Sequence, residues 1–205
     1  MSAAAPPPAV IGLRAGRGGC VAVAVTAGPR VVLSTVLATA EPGDRLALEP
    51  YAVAYERARQ GATAEAAAAV EEGRRRQDAL AAAALSGLVE RLRRQGEAPA
   101  SAALLVNRAG WITDLLAYSL GAPEHPAVAE GLAVREAMRA ACRHCGLTCA
   151  EIDEKSLPEA ARDRLTLGAD EIEATLKALG ADAGKPWRKE QKLAALAAWA
   201  QLGAR

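Results

Sequence analysis

Three of the four cysteines stand close together, Cys142, Cys145 and Cys149, with His144 among them. Three thiolates and an imidazole are a donor set that zinc accepts in tetrahedral geometry. A structural zinc site usually draws on two separated chain segments, and no second Cys or His pair exists in this chain. Redox chemistry at Cys142-x-x-Cys145 would need a helix N-terminus to lower a thiol pKa. The pair falls at an expected helix C-terminus, where the dipole opposes thiolate. The alternative is that these side chains act as small, buried hydrophobes. A second grouping is His125 at an expected helix start, with Glu130 and Glu136 on the helix that follows. A Glu–His contact in a cleft would make a general base near neutral pH. The plainer alternative is acids favoured at a helix start and an exposed loop histidine.

A third grouping is cationic. The turn Gly16-Arg17-Gly18-Gly19 follows Arg14. Its backbone N–H groups could cradle a phosphate, with Arg14 and Arg17 adding charge. A plain hairpin turn is the alternative, since neither a Walker A loop nor a dinucleotide fingerprint is present. Basic runs occur at 74–76, 91–94 and 185–192, the last holding Lys185, Trp187, Arg188 and Lys189. If these ends converge, they form a phosphate-contacting groove in which Trp187 stacks on a base. Glu71, Glu72, Asp78 and Glu90 interleave with the helical arginines, as on a solvated, ion-paired face.

Composition limits these readings. The 205 residues suit one domain with a sizeable core. Of the chain, 51% is hydrophobic but only 3% aromatic, with no Phe, so alanine supplies much of the apolar content and helices should pack closely. The net charge of +1, from 25 basic and 24 acidic residues, gives no global electrostatic case for nucleic acid. A local patch is left open. The N-terminus lacks a charged and apolar leader, and no run approaches the ~20 apolar residues that span a bilayer. The expectation is a cytoplasmic protein with reduced cysteines.

The groupings must be positioned by a regular alternation of elements. Val-rich segments at 9–13, 20–26 and 30–39, separated by Gly-containing turns, predict three meandering strands. A long Ala/Glu/Arg/Leu helix is predicted from 63 to 95, with Leu80, Ala84, Leu88 and Leu92 as its apolar stripe and Gly73 and Gly87 as points of bending. A buried strand at 102–106, a short element at 111–120, a helix from 126 to 145 and a strand at 147–152 follow. Helices at 158–165, 170–179 and 187–202 close the chain. Residues 1–8, ending in three prolines, read as a disordered arm, 9–157 as the core, and 158–205 as C-terminal helices of the same domain.

The opening VIGLRAGRGGCVAVAV (residues 10–25), the later KPWRKEQKLAALAA (185–198) and the order of elements resemble the ribonuclease H-like superfamily, in its RuvC-type resolvase branch. The resemblance implies an α/β fold, a mixed five-stranded sheet flanked by helices, with additional C-terminal helices. In that family, carboxylates at the ends of the first and fourth strands and on the last helix hold two Mg²⁺ ions that clamp the scissile phosphodiester. Here the first position is Arg14, the second falls at or near Asn107, and the last-helix region reads Leu193-Ala194-Ala195-Leu196. A guanidinium cannot ligate a cation, and Ala and Leu offer no oxygen. A fainter resemblance, to uncharacterised bacterial proteins, rests on Glu-Pro-Tyr at 49–51 and on 125–136, and implies no activity.

Three functions fit. One is a non-catalytic ribonuclease H-like protein binding nucleic acid through Arg14, Arg17, Lys185, Trp187, Arg188 and Lys189. Another is a hydrolase with a site relocated to His125, Glu130 and Glu136. The last is a structural or interaction protein that forms a homodimer or docks on another protein. No cofactor is expected in any of them.

Overall fold

The computed structural model describes residues 8–107 and 111–203, so most of the expected N-terminal arm lies outside the described residues. The first three strands, β1 (Pro8–Gly16), β2 (Gly19–Thr26) and β3 (Arg30–Ala38), form an antiparallel meander. Its two turns pass through Gly18 and Gly28, both at positive φ, where L side chains are strained. A short α1 (Arg45–Leu48) and α2 (Pro50–Arg59) lead to the 32-residue α3 (Thr63–Arg94). Then come β4 (Ala98–Val106), α4 (Leu115–Gly121), α5 (His125–His144) and β5 (Thr148–Asp153). The chain closes with α6 (Leu157–Leu165), α7 (Ala169–Ala183) and α8 (Lys189–Gly203).

The sheet order is β3-β2-β1-β4-β5, with β4 and β5 parallel to β1, the expected mixed five-stranded arrangement. Both faces are covered, which explains why the strands read as continuous apolar runs. On one face Ile11, Leu13, Cys20 and Leu104 pack against Leu85, Leu92, Val134 and Met138 of α3 and α5. On the other, Val10, Val23, Leu105 and Ile152 pack against α6, α7 and α8. The last helix therefore belongs to the central core. Its buried Ala194, Ala195, Ala197 and Ala198 let its backbone lie almost on the sheet. At Gly12 a Cβ would fall on the Ala194 carbonyl, so only glycine admits this approach.

Local differences from the sequence reading have local causes. The long α3 runs unbroken through Gly73 and Gly87. Gly73 faces the Leu46 carbonyl and Pro50 and leaves room for them, whereas Gly87 faces open space. The buried stripe is Ala81, Leu85, Leu88, Val89 and Leu92, rotated from the expected one. The fourth strand starts at Ala98, four residues before the expected 102, and takes in Pro99 beside a register shift at Ala9/Val10, the kind of irregularity at which proline is found in sheets. The element at 111–120 resolves into α4, begun by Asp114, whose Oδ1 accepts from the Ala117 N–H at 2.9 Å.

Candidate functional site

Arg14 stands near the carboxyl end of β1, on the α8 face, beside buried Leu105 in the parallel register with β4. Its Nε donates to Glu154 Oε2 at 3.0 Å and its Nη2 to Glu154 Oε1 at 3.1 Å, a bidentate fork. Glu190 Oε1 lies 4.0 Å from Nη1. Two distant segments thus converge on one guanidinium. Glu154 follows β5 directly, and its own N–H donates to the Val106 carbonyl at 2.8 Å, which fixes it against the end of β4. Glu190 sits in the first turn of α8, where an acid is favoured by the dipole. The seat of α8 on Gly12 sets its depth.

The donor set does not fit the two Mg²⁺ ions that this architecture implies. Mg²⁺ needs several hard oxygen ligands in near-octahedral geometry. Arg14 offers only donors, its β4 neighbour Leu105 is apolar, and both nearby carboxylates already face the guanidinium. Asn107, two residues on, accepts at its Oδ1 from Arg135 Nη1 at 2.8 Å. Among the described residues no group of three or more His, Cys, Asp and Glu is arranged to hold a metal. The expectation of an oxygen-free last helix needs correction. Leu193–Leu196 do face the core, but one turn earlier Glu190 supplies a carboxylate at this end of the sheet. In the sequence Glu190 is the lone acid within a basic run, and that is the signal which could have marked it, along with Glu154 just after the fifth strand.

The cationic candidates divide. Arg17 projects from the β1–β2 turn, 59% exposed, with Glu49 Oε2 at 3.8 Å from Nη1. Arg14, Arg17 and Glu190 share a cavity of about 240 Å³ with the turn glycines. Lys185, Arg188 and Lys189 are exposed at the head of α8, at this same end. Trp187 is half-buried and held in place. Its ring lies against Gly180, where a Cβ would clash, and its Nε1 donates to the Leu176 carbonyl at 3.1 Å. The other basic runs do not join the group. Arg91, Arg93 and Arg94 end α3 just before β4 begins, so the nine residues of β4, about 30 Å, separate them from Arg14's end. Arg75 and Arg76 pair with Glu72, and Arg74 with Glu136.

His125, Glu130 and Glu136 do not form a site together. His125 stacks on the Tyr118 ring, with centroids 4.0 Å apart, and its Nδ1 lies 2.7 Å from the Tyr118 carbonyl. Glu136 is held by Arg74 at 2.8 Å. Glu130, 1% exposed, accepts the Tyr51 and Ala52 N–H groups at 2.8 and 3.1 Å and so caps α2 from α5. Burial raises its carboxyl to about 7 against the opposing pull of those two hydrogen bonds.

The cysteines gather along α5 and the adjoining strands. Cys20 and Cys142 are buried, and burial pushes the Cys20 thiol up to about 12. The Cys142 thiol hydrogen-bonds to Cys149, which raises Cys142, with burial adding, and lowers Cys149. Cys145 Sγ lies 3.4 Å from Ser86 Oγ.

No family model matches the chain, and no curated protein does either. Solved structures define its class. The chain is similar to Thermus thermophilus RuvC in complex with a Holliday junction substrate, with TM-score 0.52, 16% identity, and 95% of this chain and 92% of that chain covered. A second structure of Thermus thermophilus RuvC gives TM-score 0.50, 13% identity, and coverage of 95% and 93%. The chain has a ribonuclease H-like fold of the RuvC type. Among the described residues no helix is long and apolar enough to cross a membrane.

Proposed function

We propose that this protein binds nucleic acid without cleaving it, a ribonuclease H-like protein in which a fixed arginine stands where metal ions would do chemistry. The observation that carries this reading is the Arg14 guanidinium held by Glu154 and faced by Glu190 at the strand end where resolvases of this fold keep an acid. A cation fixed by covalent attachment satisfies the carboxylates but has no open coordination position to polarise a phosphodiester or lower the pKa of a water. The binding half of the reading is supported by the exposed Arg17, Lys185, Arg188 and Lys189 at that end, and by the junction substrate on the similar RuvC.

Fluorescence anisotropy with single-stranded DNA, duplex, four-way junction and RNA–DNA hybrid, at two salt concentrations with Mg²⁺ present, tests this. Four contacting cations predict a log–log salt slope of about −3 to −4. Replacing Arg17 and Lys189 by Ala should reduce that slope by about two contacts. Absence of binding to all four probes at low salt would refute the reading.

A further inference from the structure

Arg135 carries a charge that the fold leaves largely unanswered. It lies on α5, one turn before Arg139. Of its five N–H groups only Nη1 has a partner among the described residues, the neutral Asn107 Oδ1 at 2.8 Å. Its Nε is buried and has none. A buried donor left unpaired is costly, more so on a charged group. The two acids beside it are engaged elsewhere: Glu151 accepts from Arg139 Nε at 2.5 Å, and Glu136 from Arg74 Nη2 at 2.8 Å. Burial and then the nearby Arg139 hold the Arg135 guanidinium below its usual range, with Glu151 and Glu154 pulling the other way.

A cavity of about 200 Å³ opens against this group, its polar lining made by Asn107, Arg135, Glu136, Arg139 and Glu151, with both carboxylates already paired to arginines. We infer that it is a receptor for a single phosphate group, with Arg135 as the main ligand and Arg139 as the second. Side chains at i and i+4 on a helix stand about 5–6 Å apart, close enough for two guanidinium groups to share one tetrahedral anion. The fork geometry of arginine matches paired phosphate oxygens, and Nη2, which has no partner among the described residues, is free to engage them. The volume lies below the ~300 Å³ at which pockets accept whole drug-sized ligands, so it suits a phosphate head rather than a complete nucleotide. A terminal phosphate on nucleic acid and a free small phosphate present the same chemistry here. Only the first of these sources rests on the nucleic-acid reading above.

The test has two arms on the full chain. In the first, thermal unfolding is followed with inorganic phosphate or with chloride at matched ionic strength. Phosphate should stabilise the wild-type protein beyond chloride, and the excess should vanish in Arg135→Gln and shrink in Arg139→Gln. In the second, anisotropy compares 5′-phosphorylated with 5′-hydroxyl oligonucleotides. A tenfold preference for the phosphorylated probe, lost in Arg135→Gln, assigns the pocket to a nucleic-acid end, while phosphate stabilisation without that preference assigns it to a small phosphate. Equal effects of phosphate and chloride on the wild-type protein, with no preference for phosphorylated probe, overturn the receptor, even if nucleic acid binds elsewhere. Phosphate stabilisation with no oligonucleotide binding at all overturns the nucleic-acid reading and keeps the receptor. If Arg135→Gln fails to fold, Arg139→Gln and Arg135→Lys, which keeps the charge but loses the fork, carry the same comparison.

Discussion

Replacing Arg14 by Asp turns the cluster into three carboxylates with no cation. Two charge-assisted hydrogen bonds, at 3.0 and 3.1 Å, disappear, and the new acid faces Glu154 and Glu190. Hydrogen bonds to charged groups are worth about 1.5–3 kcal/mol each, and solvent reduces this because Arg14 and Glu154 are 27% and 31% exposed. Adding the repulsion, the loss should be about 3–4 kcal/mol. At about 2–4 °C per kcal/mol for a chain of this size, Tm should fall by about 10 °C. The same change supplies oxygen ligands, so a divalent cation should now bind. At a hundredfold excess over Kd it would return about 2.7 kcal/mol. The assay is thermal unfolding by circular dichroism in EDTA and in Mn²⁺. The wild-type Tm should be the same in both, while Arg14→Asp should be unstable in EDTA and substantially recovered in Mn²⁺. A wild-type Tm that rises with Mn²⁺, or an Arg14→Asp protein as stable as wild type in EDTA, would refute the argument that the guanidinium fills the cation's place.

Other consequences are open to direct measurement. Gly12→Ala should cost more than about 3 kcal/mol in urea unfolding, because the methyl meets the Ala194 backbone rather than a movable side chain. Gly87→Ala, on the exposed side of α3 with nothing within 4 Å, should instead gain about 0.5–1 kcal/mol. Burial raises the Glu130 carboxyl from its ordinary 4.5 to about 7 in the folded state, so its contribution to stability is complete below about pH 4.5 and lost as pH rises through 7. The span corresponds to about 3 kcal/mol, and Glu130→Gln, measured alongside wild type from pH 4 to 8, should remove that slope. Iodoacetamide should label Cys149, whose thiol is lowered, well before Cys20, which is buried and pushed up to about 12. Peptide mass spectrometry reads the order of labelling.

The order of elements was legible because both faces of the sheet are buried. Continuous Val- and Ala-rich runs mark such strands, and Gly-containing turns punctuate the meander. Arg14 was legible as a departure, since a single residue type at a strand end decides whether oxygen ligands exist. Its partners were not. Glu154 and Glu190 lie 140 and 176 residues further along, and only the register of β1, β4 and β5 and the seat of α8 on Gly12 bring them to Arg14. The seating of Trp187 was not legible either, because nothing in a linear sequence shows that Gly180, seven residues earlier, opens a slot for its ring. His125, Glu130 and Glu136 share a helix, but their angular positions send them to Tyr118, to the head of α2 and to Arg74. Arg135 carried no signal in the sequence, because its meaning lies in a missing partner.

The central claim is that this resolvase-type fold binds nucleic acid and leaves it intact. Incubating the protein with a labelled four-way junction in Mg²⁺ and in Mn²⁺, with binding followed by anisotropy and the strands then resolved on a denaturing gel, tests both halves together. A salt-sensitive anisotropy change with full-length strands in either cation is the predicted result. Cleavage products that vanish in Glu154→Gln would contradict it, because they would show that the cluster around Arg14 still performs chemistry.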